Sequence, residues 1–272
     1  MILRARTAGL RSLPVNSLAP NMLTVLALCA GLTSMRFSLN ESWQLAVMAI
    51  LVAALFDGLD GRLARLLKGT SKFGAELDSL SDFVCFGVAP SILLYRWTLN
   101  DLGGVGWILV LAFSVCCALR LARFNTALDS ANQPTWMTNF FMGVPAPAAG
   151  GLVLLPVMLS FQVAESFFHY PLVNAFVVAA VAFLMVSKVP TYSFKRLRVR
   201  REYILPVLIV VGLLAAVLWS YPWQMLTGIG LLYLASIPLS MRSYRRRAAS
   251  ASEGVSVEEL SNALPEEEEV GD

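Results

Sequence analysis

Six stretches of the chain contain no Asp, Glu, Lys or Arg: 22–35, 43–56, 104–119, 140–164, 170–187 and 203–241. Uncharged runs of this kind are typical of lipid-embedded segments, because a spanning helix needs about 20 apolar residues. Apolar residues make up 57% of the sequence and charged residues only 14%, far from the averages of soluble domains. The sequence therefore predicts an all-α, polytopic integral membrane protein.

The apolar segments give eight candidate spans: 19–38, 43–66, 71–97, 104–127, 140–161, 171–188, 203–219 and 222–241. The loops at one end of these spans contain no Lys or Arg: 39–42, 98–103, 162–170 and 220–222. Most of the 21 basic residues lie at the other end, which the positive-inside rule assigns to the cytoplasm. We therefore expect a multi-pass protein of the inner (cytoplasmic) membrane with both termini in the cytoplasm.

Composition divides the chain into four segments. Residues 1–17 form a basic juxtamembrane segment that suits the anionic phospholipids of the inner leaflet, and residues 18–190 form the main membrane core. Residues 191–242 contain a basic cytoplasmic loop and the last two spans. Residues 243–272 predict a disordered acidic tail, because they offer little apolar surface to bury. We expect no nucleic-acid partner.

Four aspartates interrupt the second and third spans: Asp57, Asp60, Asp78 and Asp82. An acid inside the bilayer costs about 2.5 to 3.5 kcal/mol even on lenient insertion scales, so four together indicate a function. Apolar residues alternate with them, which favours amphipathic helices over a solvated loop. Spacings of three and four residues place each pair on one helix face.

The four aspartates also lie at matching distances from the turn near Gly69. Asp60 and Asp78 are each nine residues from it, and Asp57 and Asp82 are twelve and thirteen residues away. In an antiparallel helix pair they would form two tiers about 5 to 6 Å apart, roughly 15 Å from the turn. The sequence therefore predicts a polar cavity that opens to the cytoplasm.

Carboxylates so close together need a positive charge between them. At 4 Å and an effective dielectric near 20, each pair repels by about 4 kcal/mol. Ligand sets made only of oxygen favour hard divalent cations, so we expect Mg²⁺ or Mn²⁺, as two ions.

Small and basic residues surround the aspartates. Gly58, Gly61, Ala64 and Gly74 remove side chains from the acidic faces, which would let a bulky phosphate ligand approach the backbone. Close helix packing explains such residues equally well in membranes. Basic residues flank the turn, where the positive-inside rule is a competing explanation: Arg62, Arg65, Lys68 and Lys72.

The segment reads Asp57-x-x-Asp60-Gly61-x-x-Ala64-Arg65, eight residues, then Gly74-x-x-x-Asp78-x-x-x-Asp82. It resembles, at every fixed position, the signature of the CDP-alcohol phosphotransferase family of membrane phospholipid synthases. The resemblance implies a catalytic core of six helices in which an alcohol displaces CMP from a CDP-linked lipid. It also implies metal ligation by Asp57, Asp60 and Asp78, and a role for Asp82 as metal ligand or general base. Gly61, Ala64 and Arg65 match the CDP-binding part of the motif, to which we add Gly58, Gly74 and Lys72 as candidates.

Within that family, four further segments are similar to bacterial phosphatidylserine synthases of the integral-membrane type: residues 20–24, 74–83, 120–125 and 143–147. The similarity implies CDP-diacylglycerol and L-serine as substrates, phosphatidylserine and CMP as products, and Asp82 as the catalytic group that accepts the serine proton. We also expect a homodimer.

The carboxylate of serine needs a cationic partner, for which the fourth span offers Arg120, Arg123 and Asn125. Both arginines are equally explained as anchors at the inner leaflet. Asn21 and Thr24 share a face of the first span and are candidates for nucleotide binding or for helix capping.

Two other functions remain open at this stage. The same chemistry could use another acceptor, such as glycerol phosphate, inositol phosphate or choline. A cation-coupled secondary transporter would also place acids and Gly/Pro breaks in its core.

Overall fold

A computed structural model describes residues 15–128, 140–163, 166–187, 189–192 and 204–263. The helices are α1 (Val15–Leu39), α2 (Trp43–Leu66), α3 (Lys72–Asp82), α4 (Ala89–Trp97), α5 (Gly104–Leu128), α6 (Ala146–Val153), α7 (Leu155–Ser160), α8 (Pro171–Val186), α9 (Ile204–Ser220) and α10 (Pro222–Ala263). Short 3₁₀ turns cover Leu99–Leu102 and Ser166–His169. Two strands, β1 (Phe140–Met142) and β2 (Pro190–Tyr192), form one antiparallel pair.

Within the described residues, five helical stretches are long and apolar enough to cross a membrane: Leu18–Leu39, Trp43–Leu66, Lys72–Trp97, Gly104–Thr126 and Pro222–Arg242. Two shorter apolar helices cover Pro171–Val186 and Pro206–Ser220. The predicted class, an all-α polytopic membrane protein, is confirmed. The total of eight spans stays a prediction.

The fifth predicted span, 140–161, is not one helix. It begins with β1, turns at Gly143 with φ of +80°, and then continues as α6 and α7, which meet at Leu154. Pro156 explains the break, because it has no N–H to donate to the carbonyl four residues earlier and therefore suits the first turn of a new helix.

The C-terminal segment also differs from the prediction of a disordered tail beginning at 243. Helix α10 continues to Ala263 without interruption. Residues 243–263 contain Ala, Arg and Glu, which favour helices, and no Pro, so local helix propensity allows the backbone to continue the last span. Residues 264–272, the first fourteen residues and the basic loop 193–203 lie outside the described residues.

The centre of the bundle is a π-helical segment, Phe83–Val88, which directly follows Asp82 within the continuous helix Lys72–Trp97. Three glycines let neighbouring helices approach it: Gly31 of α1 against Cys85, Gly87 of the segment against Cys117 of α5, and Gly150 of α6 against Phe86. Such a segment adds a residue to one helical turn and is frequent at functional sites. Here it aligns the end of α3 with α1, α5 and α6.

We predict that Gly31→Ala destabilises the protein. An added Cβ would lie 2.7 Å from the Cys85 Sγ and 3.1 Å from its Cα, so α1 must move away from the π-helical segment. Overpacking of this kind costs about 1 to 3 kcal/mol and should lower the thermal unfolding midpoint in detergent. Gly212→Ala is the matched control, because its Cβ would meet no atom within 4 Å; an equal loss in both variants would contradict the packing argument.

Candidate active site

Three carboxylates converge between α2 and α3. One oxygen from each of Asp57, Asp60 and Asp78 lies within 4.8 Å of the others. Asp57 and Asp60 are one turn apart on α2, and Asp78 faces them from α3. The convergence predicted from the spacing is therefore confirmed for these three residues.

Asp82 joins this cluster through a different contact. Its carboxyl group lies next to the carboxyl of Asp57, and it lies outside the group of three that could surround one ion. The proximity of Asp57 and Asp82 agrees with the deeper of the two tiers expected from the distances to the turn, whereas Asp78 lies close to both Asp57 and Asp60. Asp82 is the deeper partner, because it lies just before the π-helical segment.

Helix α1 holds Asp60 in place. The Thr24 hydroxyl donates to Asp60 Oδ2 at 2.6 Å, a length typical of bonds to an ionised carboxylate, and it also lies 3.2 Å from the carbonyl of Pro20. The Ser81 hydroxyl donates to the Thr24 carbonyl at 3.3 Å, which ties α3 to the same turn. Since α1 begins at Val15, Thr24 and Asn21 are inside the helix, and the capping explanation is wrong for both.

A cavity of about 190 Å³ lies beside the aspartates. Most of the predicted nucleotide-binding residues line it: Asn21, Thr24, Gly61, Ala64, Arg65 and Gly74, together with Asp60 and Asp78. The turn residues Gly69, Thr70 and Ser71 form the rest of its rim with Pro20 and Ala75. Gly58 and Lys72, also predicted to bind CDP, lie outside this lining.

The glycines of the motif have two different roles. A Cβ on Gly61 would meet no atom within 4 Å, so the space in front of it is open to a ligand. A Cβ on Gly74 would lie 2.8 Å from Asn21 Oδ1, so that glycine allows α3 to pack against α1. Ligand access therefore explains the glycine at position 61, and close helix packing explains the glycine at position 74.

Arg120 is the arginine that reaches the acidic cluster. It is only 9% exposed and lies within electrostatic reach of Asp57 and Asp82. Its guanidinium carbon also lies 5.7 Å from the centre of the Phe124 ring. A buried guanidinium within electrostatic reach of two carboxylates offsets part of their mutual repulsion, and its N–H donors could bind an anionic group.

The other two predicted serine-binding residues contact protein groups. Arg123 donates from Nη1 to the Val186 carbonyl at 2.9 Å and from Nη2 to the Ser187 carbonyl at 3.3 Å. Asn125 Nδ2 donates to the Ser79 hydroxyl at 2.9 Å. The end of α5 is thus fixed to α8 on one side and to α3 on the other.

The acidic cluster fits a hard divalent cation. Carboxylate oxygens are the ligands that Mg²⁺ and Mn²⁺ take, at about 2.0 to 2.1 Å for Mg²⁺, so two oxygens on one ion are at most about 4.2 Å apart. A set already within 4.8 Å needs only small side-chain rotations to meet this limit. No thiol or imidazole belongs to the cluster, which argues against a zinc or copper site.

A larger cavity, about 710 Å³, lies far from this chemistry. Residues 41–45 line it together with Trp97, Ser160, Phe161, Val163 and His169. Asp57 is fourteen residues further along α2 than Trp43, which is about 21 Å along a helix. Among the residues described, its one charged lining residue is Glu41, which pairs with Arg96 at 3.4 Å. Cavity size is therefore a poor guide to the site in this protein.

Ser71 is a site residue that the sequence reasoning missed. Its side chain accepts a hydrogen bond from the Gly74 N–H at 3.0 Å and caps α3 at the cavity rim. A serine just before a periodic helix is an N-cap signal that would have identified it. Ser79, the partner of Asn125, carries no comparable signal.

Comparisons with known proteins agree with this geometry. Residues 17–237 match the family described as CDP-alcohol phosphatidyltransferase. The chain is similar to proteins named CDP-diacylglycerol–serine O-phosphatidyltransferase from Mycobacterium leprae (38% identity, 85% of this chain, 76% of the relative) and Helicobacter pylori (34%, 74% and 84%). A protein of the same name from Bacillus subtilis is 36% identical over 65% of this chain and 91% of its own length. With a cluster of aspartates at the family's spacing inside a membrane bundle, the chain belongs to the CDP-alcohol phosphatidyltransferase family.

Proposed function

We propose that this protein transfers the phosphatidyl group of CDP-diacylglycerol to the hydroxyl of L-serine, giving phosphatidylserine and CMP. The observation that carries the proposal is the convergence of Asp57, Asp60 and Asp78 beside a cavity lined by Gly61 and Arg65. The names of the three relatives support serine as the acceptor.

The aspartates would hold Mg²⁺ or Mn²⁺. One ion would lie among Asp57, Asp60 and Asp78, and a second would share Asp57 with Asp82. When bound, such ions neutralise phosphate oxygens and the charge that develops on the leaving group. Thr24 fixes the orientation of Asp60 by donating a hydrogen bond from its hydroxyl to that carboxylate.

The proton of the attacking serine would pass to Asp82. The serine hydroxyl oxygen forms a bond to the phosphorus that bears the diacylglycerol oxygen, and the bond from that phosphorus to the bridging oxygen of CMP breaks. CMP leaves with the pair of electrons of that bond. Arg65, which lines the cavity, would bind the CMP phosphate through its guanidinium.

The carboxylate of serine would bind to Arg120. This guanidinium is buried within electrostatic reach of Asp82, the group that would take the serine proton. Arginine suits the task because its planar fork binds both carboxylate oxygens. Choline and inositol lack a carboxylate, so this contact would favour serine over them.

The same proposal covers location and assembly. Four basic residues flank the turn near the cavity rim: Arg62, Arg65, Lys68 and Lys72. They favour a site that faces the cytoplasm at the inner membrane and contacts anionic phospholipids. Both termini would then lie on the cytoplasmic side. The homodimer stays a prediction.

An acceptor panel with purified full-length protein tests the function. With labelled CDP-diacylglycerol we expect CMP release and phosphatidylserine formation with L-serine, and little lipid product with glycerol 3-phosphate, inositol phosphate or choline. Excess EDTA should abolish turnover, and Mn²⁺ or Mg²⁺ should restore it. Preference for another acceptor would overturn the serine assignment, and full activity in EDTA would overturn the metal sites.

We predict that Asp82→Asn lowers kcat by about 10² to 10⁴-fold, because an amide cannot accept the serine proton. Asp57→Asn, Asp60→Asn and Asp78→Asn should likewise abolish most turnover and weaken Mn²⁺ binding. Glu76→Gln is the control, since Glu76 is exposed on the same helix and outside the cavity. A larger loss in Glu76→Gln than in Asp82→Asn would contradict the assignment.

We predict that Gly61→Ala weakens CDP-diacylglycerol binding without destabilising the protein. The new Cβ meets no protein atom within 4 Å but enters the cavity, so the apparent KM for the lipid should rise several-fold. Gly228→Ala is the matched control, because its Cβ is also free of contacts and lies in α10 outside the cavity. Unchanged KM in Gly61→Ala would show that the nucleotide does not use this space.

A further inference from the structure

The end of helix α8 is held by a side chain from α5. The two Arg123 nitrogens donate to the carbonyls of Val186 and Ser187, at 2.9 and 3.3 Å. The last carbonyls of a helix have no partner within the helix, and inside a membrane protein an unpaired carbonyl is costly. A cation at this end also suits the negative pole of the helix dipole.

Gly143 completes this contact from the other side. Its φ is +80°, and an added Cβ would lie 2.5 Å from the Met185 carbonyl and 3.1 Å from both Arg123 Nη2 and the Ser187 carbonyl. Its own N–H donates to the Val189 carbonyl at 2.8 Å. Glycine is therefore required here both by backbone conformation and by space.

The same place joins the chain before α6 to the chain after α8. Strand β1 pairs with β2 in the register Phe140–Tyr192, Phe141–Thr191 and Met142–Pro190. The Val144 N–H donates to the Leu184 carbonyl at 3.3 Å. We call Arg123, Gly143, Val186 and Ser187 the Arg123 clamp.

The clamp is one helical turn from the site. Arg120 precedes Arg123 by three residues on α5 and is buried within electrostatic reach of Asp82, while Asn125 ties the same turn to Ser79, the neighbour of Asp78. The last turns of α5 are thus held between α3 and α8, with Arg120 at their inner edge.

We infer that Arg123 is a positioning residue, which sets the last turns of α5 through the end of α8, and that Arg120 is the arginine that binds the acceptor's carboxylate. The inference rests on the proposed transfer to serine. It distinguishes two arginines one helical turn apart by their surroundings. Arg123 donates to backbone carbonyls, and Arg120 is buried within electrostatic reach of Asp82.

Three variants of the full-length protein test it: Arg123→Lys, Gly143→Ala and Arg120→Lys. For each, kcat, the KM values for serine and CDP-diacylglycerol, and the thermal midpoint in detergent would be measured. Lysine cannot reproduce a fork over two carbonyls, so Arg123→Lys should lower the midpoint by about 3 to 10 °C and reduce kcat. Its two KM values should stay within about twofold of wild type. Gly143→Ala should give the same pattern.

Arg120→Lys should behave in the opposite way. We expect the KM for serine to rise about 10 to 150-fold while that for CDP-diacylglycerol stays nearly unchanged, with a midpoint close to wild type. A selective rise in serine KM in Arg123→Lys, with an unchanged midpoint, would overturn the inference. Failure of the proposed function is a separate result, because wild type would then give no product from serine while the clamp variants still lost thermal stability.

Discussion

Carboxylates inside a membrane bundle repel one another, and the contacts of the surrounding helices offset part of this electrostatic cost. With oxygens within 4.8 Å of one another, Asp57, Asp60 and Asp78 repel by about 3.5 kcal/mol per pair at an effective dielectric near 20. The surrounding helices each reduce that cost. Helix α1 donates the Thr24 hydroxyl to Asp60, and α5 brings the Arg120 guanidinium to Asp82. The negative charge that remains uncompensated would attract a divalent cation, and that cation could in turn bind phosphate oxygens.

Small residues let these helices meet without filling the space the ligand needs. Gly31 and Gly74 bring α1 against the π-helical segment and against α3, because each faces protein atoms closer than a Cβ permits. Gly61 faces open space in the cavity instead. The motif thus contains one glycine that allows helices to pack and one that leaves space for a ligand, and only their surroundings distinguish the two. This division explains how a tight membrane bundle retains a cavity of about 190 Å³ beside its most charged residues.

The last turns of α5 connect the acidic cluster to the rest of the bundle. Asn125 holds them to α3, and Arg123 holds them to the end of α8, where Gly143 leaves room for the guanidinium. Arg120 lies between these two attachments. Its position therefore depends on hydrogen bonds to two other helices, which suits its proposed role in orienting the acceptor.

The membrane class and the acidic cluster could both be predicted from the sequence, because both follow from local patterns. Uncharged runs specify spans, and spacings of three and four residues put Asp57 with Asp60 and Asp78 with Asp82 on single helix faces. The side chains that contact this cluster, and those that instead stabilise the packing of the helices, are known only from the folded structure. Thr24 bonds to Asp60, 36 residues along the chain, and Arg123 bonds to Val186, 63 residues along. Helical periodicity cannot predict contacts at such sequence separations. The start of the fifth predicted span as a strand depends likewise on the pairing of β1 with β2, which no local propensity specifies, whereas its later break at Pro156 is local.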